Sequence, residues 1–108
     1  MNDNLSIRSA QEMIRQITNK YNLELSPELR YIDLSSEVGE LGKEILLSTG
    51  YGANPFIATD NLESEIGDTF YSLICIANSL NIDLSNSLIK VLKKYEKRFS
   101  EKGNIGSE

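Results

Sequence analysis

Apolar residues recur every three to four positions along most of the chain, and no segment shows the alternation of a strand. The first repeat joins Ile7, Ala10, Met13, Ile14 and Ile17 and predicts a helix from about Leu5 to Tyr21. Asn22 to Leu25 breaks it. Ser26 and Pro27 then read as an N-cap followed by a first-turn proline, whose missing N–H costs a helix start nothing. The helix they open carries Leu34, Val38, Leu41, Ile45 and Leu46 on one side and ends near Ser48. The following STGYGANPF is long for a plain helix connection and suits either a functional loop or a spacer. In it, Tyr51 is suited to stacking on a base or to covering an end of the bundle.

Asp60, with Glu63 three residues later, has the form of a capping box. It predicts a third helix with Leu62, Ile66, Phe70, Leu73, Ala77 and Leu80 as its apolar stripe. A short NID turn places Asp83 as the N-cap of a fourth helix, from Leu84 to about Phe99. The expectation is an all-α bundle of about four helices. Residues 1–100 form its single domain and 101–108 a flexible tail.

A chain of 108 residues has room for one such domain with a modest core. Its 40% hydrophobic and 25% charged residues are ordinary globular usage, which excludes wholesale disorder. The formal charge of −5 speaks against a nucleic-acid groove binder, which needs a basic face. No apolar run approaches the roughly 20 residues of a membrane span, and the N-terminus lacks a signal-peptide pattern. The single cysteine, Cys75, sits in the apolar run SLICIAN as a small core residue, and cysteine usage of this kind implies the reducing cytoplasm. With no histidine, the chain has neither a Ser-His or Cys-His nucleophile pair nor an ordinary zinc site. No Walker-type glycine loop is present either. Any chemistry falls to carboxylates, lysines, hydroxyls and metal ions.

The carboxylates are unusually placed. With Val38 at the centre of the second helix's stripe, Glu37 lies at about −100°, Glu40 at about −160°, Glu44 at about −120° and Asp33 at about −140°. Like charges three or four residues apart repel by a few tenths of a kcal/mol per pair. On the third helix, with Ile66 at the centre, Glu65 falls at about −100° and Asp68 at about −160°, the bearings of Glu37 and Glu40. If the two helices pack antiparallel through their stripes, the pairs meet. Gathered carboxylates cannot all stay ionised at a core edge without a cation. Hard oxygen donors point to magnesium, with manganese as the alternative, and hence to polyphosphate chemistry. An acidic solvated edge is the other reading of the same pattern.

ExxE, 24 intervening residues and ExxD resemble the signature of the MazG-like all-α nucleoside triphosphate pyrophosphohydrolases. SSEVGELGKEI is similar to the family's EExGELxEA. ESEIGDTFYSLICIANSLNIDLSNSL is similar to its ExGDxLxxLxxxAN, followed by a turn and a helix. The resemblance spans about Leu29 to Phe99 and implies tight homodimers, or dimers of dimers. It also implies hydrolysis of nucleoside triphosphates to monophosphate and pyrophosphate. It puts Glu37, Glu40, Glu65 and Asp68 at the metal-ligand and catalytic positions, where magnesium would clamp the phosphates and activate a water against the α-phosphate. Ser36 stands where many members have another glutamate; Glu44 and Asp33 are the neighbours able to substitute for it.

Three further residues resemble substrate-binding positions of the family: Asn78 in the AN of the third helix, and Lys94 and Arg98 on the basic fourth helix. Asn78 equally suits a packing gap, and the two cations suit the C-terminal end of a solvated helix. Rival readings are a dUTP or dCTP pyrophosphohydrolase of the same superfamily, and a catalytically silent helical module that binds a protein.

Overall fold

The structure, a computed structural model, describes residues 4–102. Four helices account for nearly all of it: α1 (Ile7–Lys20), α2 (Pro27–Leu47), α3 (Leu62–Ser79) and α4 (Leu84–Lys102). The first two residues of the expected tail thus belong to α4, and 103–108 lie outside the described residues.

Most helix ends follow local chemistry. Ser6 caps α1 in a reciprocal box with Ser9: the Ser9 amide donates to Ser6 Oγ at 3.0 Å, and the Ser6 amide donates to Ser9 Oγ at 2.9 Å. Ser26 caps α2 with Pro27 in the first turn. Asp83 accepts from the Asn86 amide at 3.1 Å as α4 begins. Asn22 and Asn81, at φ +54° and +55°, turn the chain out of α1 and α3 in the left-handed region that asparagine tolerates. The expected box at Asp60 and Glu63 does not form. The residue before α3 is Asn61, whose backbone is already right-handed helical (φ −86°, ψ −10°), so no side chain is aimed at the free amides. The chain enters α3 through a turn, with the Leu62 amide donating to the Thr59 carbonyl.

The loop between α2 and α3 is tied down at its ends. Residues 50–52 are all left-handed, and a Cβ on Gly50 would stand 2.6 Å from the Asn54 side-chain amide, so glycine is favoured there. Thr59 Oγ1 donates to Glu44 at 2.6 Å, and the Ile57 amide donates to the Ser48 carbonyl at 2.8 Å. Tyr51 is exposed.

Helices α2 and α3 form the main packed pair. They run antiparallel: Glu44 meets Thr59 near one end, and Glu37 meets Thr69 in the middle. They do not meet through their apolar stripes. The less exposed residues of α2 are Arg30, Leu34, Glu37, Leu41, Glu44 and Ser48, which centre about 80° away from Val38. On α3 the facing set, Leu62, Glu65, Thr69, Ser72 and Ile76, is displaced by a similar angle from Ile66. Glu37, Glu44 and Glu65 therefore line the seam itself, with Asp68 at its exposed edge. Val38 and Ile66 are 51% and 53% exposed, whereas Ile74, Cys75 and Ala77 are buried. The radius of gyration is 16.9 Å, against about 13 Å for a compact domain of this length.

Helix α1 packs on α3 and α4 through a polar lock. Gln11, nearly fully buried, donates through Nε2 to Asn78 Oδ1 (3.1 Å) and to the Ile82 carbonyl (2.8 Å). Its Oε1 accepts from the Leu84 amide at 2.9 Å. Asn78 Nδ2 donates back to the Gln11 carbonyl at 3.0 Å. Gln11→Ala strands several of these groups at once and is expected to lower unfolding free energy by about 1–3 kcal/mol. Urea denaturation checks this, and a neutral result would mean that water replaces the lock.

Candidate metal centre

The seam brings Glu37 of α2 together with Glu65 and Asp68 of α3, with one carboxylate oxygen from each within 4.8 Å of the others. Thr69 Oγ1 donates to the Glu65 carbonyl at 2.8 Å and lies 3.4 Å from the Glu37 carbonyl, which stitches the two helices at this level. Glu40, one turn along α2, is exposed and outside the close trio, yet its charge reaches Glu65. No ion pair among the described residues involves Glu37, Glu65 or Asp68.

Glu65 shows the cost of this arrangement. Desolvation raises its pKa, and repulsion from Asp68, Glu37, Glu40 and Glu44 raises it further. The folded protein therefore binds this proton more tightly than the unfolded chain does. Glu65 detracts from stability once pH exceeds its unfolded pKa, and the penalty is complete above its folded pKa. Metal-free Glu65→Gln is expected to melt above the parent at about pH 7.5, with the gap closing toward about pH 4. A parent that melts higher at neutral pH would show that the acids are compensated in some other way.

The donor set suits a hard divalent cation: converging carboxylate oxygens from two rigid helices, uncompensated by a side-chain cation, with no histidine or thiolate among them. A cavity of 370 Å³ opens beside the trio, lined by Arg30, Asp33, Ser36, Glu37, Asp68, Tyr71 and Ser72. Of the two neighbours able to stand in for an acid at Ser36, Asp33 lines this cavity, while Glu44 is engaged by Thr59.

The other predicted residues lie elsewhere. Asn78 is held to α1 by Gln11 and also accepts from Arg15 at 3.3 Å, which makes it a packing residue that also lines a second cavity. Lys94 and Arg98 flank the Tyr95 ring, at 5.1 and 6.0 Å from its centroid, on a helix packed chiefly against α1. Within one chain they are not part of the carboxylate cavity. Cys75 is buried, and burial pushes its thiol pKa up, so it is a chemically quiet core residue at neutral pH.

Sequence reasoning missed Arg30. Its side chain is 11% exposed, its guanidinium donates through Nη2 to the Leu23 carbonyl, and Nη1 stands 3.8 Å from Asp33. The available signal was its position seven residues before Glu37, which leaves both within about 20° on the helix.

The model of the MazG nucleotide pyrophosphohydrolase domain matches residues 7–101. YpjD of Bacillus subtilis (strain 168), an uncharacterized protein, is 38% identical over 76 residues, which span 68% of this chain and 67% of that one. The crystal structure of Bacillus subtilis YpjD superposes with a TM-score of 0.74 at 30% identity, covering 90% of this chain and 99% of its own. That of the Bacillus-conserved MazG protein, a nucleotide pyrophosphohydrolase, superposes with a TM-score of 0.74 at 27% identity, covering 87% and 93%.

Proposed function

The chain belongs to the MazG nucleotide pyrophosphohydrolase family, and on that premise we propose that it is a cytoplasmic, magnesium-dependent enzyme converting nucleoside triphosphates to monophosphates and pyrophosphate. The observation that carries this reading is the meeting of Glu37, Glu65 and Asp68 across the α2–α3 seam, with no ion pair to any of the three among the described residues. Glu37, Glu65 and Asp68, with Glu40 beside them, would hold the divalent ions. Those ions would supply Lewis-acid charge to the triphosphate and acidify a water, manganese serving in place of magnesium.

The chain's own part is to orient and to move a proton. The two helices fix the carboxylates on a rigid frame, so ions held there would present the triphosphate in one orientation. A carboxylate of the cluster takes the proton of the water that attacks this phosphorus. The new P–O bond forms as the bond to the bridging oxygen of the β-phosphate breaks, and pyrophosphate leaves with the electron pair.

A homodimer fits the exposed apolar faces of α2 and α3, and dimers of dimers would use the same logic. Lys94 and Arg98 would then approach phosphates from α4 of a second protomer, while Asn78 would act from the wall of the second cavity. No described helix is long and apolar enough to cross a membrane, in keeping with a cytoplasmic site of action.

The test is pyrophosphate release from a panel of ribo- and deoxynucleoside triphosphates with magnesium. Metal-dependent release with monophosphate as co-product is the expected result. No release from any nucleotide by folded protein in magnesium would sink the reading and favour a silent helical binding module.

A further inference from the structure

Helix α3 begins without a side-chain cap, yet Glu65 stands in its first turn. An uncapped first turn frays unless something outside the helix holds it. Thr59 does so. Its carbonyl accepts from the Leu62 amide at 3.2 Å as the helix starts. Its amide donates to Ser48 Oγ at 3.3 Å, and its hydroxyl donates to Glu44 Oε2 at 2.6 Å. The last is a short, charge-assisted bond. Both acceptors belong to the end of α2, Glu44 in its last turn and Ser48 as its C-cap.

The anchor on the α2 side is firm. Ser48 is buried; its hydroxyl donates to the Glu44 carbonyl at 2.8 Å, and its carbonyl accepts from the Ile57 amide at 2.8 Å. Further along α3, the Thr69 hydroxyl reaches the Glu37 carbonyl only at 3.4 Å, and its shorter bond, at 2.8 Å, stays within its own helix. Glu65 therefore lies between a strong tie and a weak one. Glu44 shares the seam face of α2 with Glu37, about 10 Å along the helix, and its charge acts on Glu65. A glutamate so placed would be drawn toward a cation at the trio if nothing held it. Thr59 holds it.

We propose that Thr59 is a positioning residue for the metal centre: by engaging Glu44, its hydroxyl pins the start of α3 to the end of α2 and keeps the Glu65 carboxylate within reach of Glu37. Glu44 is the post of this latch and not a ligand. Neither residue touches the ion. Loosening the latch lets the first turn of α3 drift, and oxygens that no longer converge hold a divalent ion less well. This rests on the metal-centre reading but fails separately from it.

The test is titration of nucleotide-free protein with manganese(II), the unbound ion being read from its electron paramagnetic resonance signal, alongside the melting temperature. Thr59→Val has the shape of threonine and keeps the amide and carbonyl bonds, so it removes the hydroxyl alone. It is expected to weaken manganese affinity about tenfold while keeping the parent's helical circular dichroism. Thr59→Ser should restore the parent's affinity, since the hydroxyl and not the methyl makes the bond. Glu44→Gln retains an oxygen that accepts from Thr59 and should stay within about threefold of the parent. A Thr59→Val chain that melts lower yet binds manganese as the parent does would overturn the proposal and leave the bond as a structural tie. One that loses its helices would overturn it as well, because the hydroxyl would then hold the fold and not the site. A loss in Glu44→Gln as large as in Thr59→Val would make Glu44 a ligand, and a Thr59→Ser no better than Thr59→Val would assign the effect to packing; either result overturns the latch. In all of these the metal centre stands. A parent that binds no manganese would overturn the centre itself, and the latch with it.

Discussion

Glu37→Gln and Asp68→Asn are each expected to lower pyrophosphate release by about a thousandfold or more, because each removes a charge that holds an ion worth several kcal/mol to the transition state. Both changes keep the size and shape of the side chain, so the α2–α3 seam need not repack. Stability should move the other way. The three oxygens lie within 4.8 Å of one another, and repulsion from Asp68 and Glu37 adds to desolvation in raising the pKa of Glu65. Neutralising one of them in metal-free protein relieves that repulsion and should hold or raise the melting temperature. The paired outcome of lost activity without lost stability separates a metal ligand from a core residue. The rise in melting temperature that magnesium gives the parent should shrink in both variants. Variants that keep the parent's rate would remove the carboxylates from the mechanism, and variants that unfold would show that the charges are structural.

The helices themselves were legible because their signals are local. The Ser26-Pro27 start and the Asp83 cap each need only a few residues, and both are present. The capping box at Asp60 failed because the same letters work only if the residue before the helix is extended, and Asn61 is not. The convergence of Glu37, Glu65 and Asp68 was legible for a different reason: equal bearings on two helices survive any antiparallel packing that puts the same edges together. Its exact setting was not. Periodicity says which side of a helix is apolar, but not whether this chain or another covers it. The acids were expected beside an apolar seam; Glu37, Glu44 and Glu65 lie in the seam, Glu40 and Asp68 at its exposed edge, and the stripes centred on Val38 and Ile66 are left open. Arg30 looked like any surface cation of an amphipathic helix. Its place on the face of α2 turned toward α3 buries it, and the turn at Leu23 brings a carbonyl onto its guanidinium.

The open stripes lead to the second large effect. In solution the chain is expected to sediment at about twice its 12.1 kDa mass, with Phe70→Asp shifting it to a single-chain species that melts at a markedly lower temperature. Phe70 is 48% exposed in the isolated chain, where it lines a groove with Ile7, Leu73, Leu84, Leu88 and Val91. Burying half an aromatic side chain against a partner contributes about 1–2 kcal/mol per protomer, and a symmetric interface counts it twice. An aspartate there must also be desolvated when the partner docks. The three described core side chains of one protomer, Ile74, Cys75 and Ala77, are too small a core to hold four helices at ordinary temperature, so stability and association should be lost together. The parent's melting temperature should accordingly rise with protein concentration, as it does when folding and assembly are linked. A parent that sediments as a single chain with a concentration-independent transition would refute this, and would mean that the helices close on one another in solution, burying Val38, Ile66 and Phe70 within the same protomer.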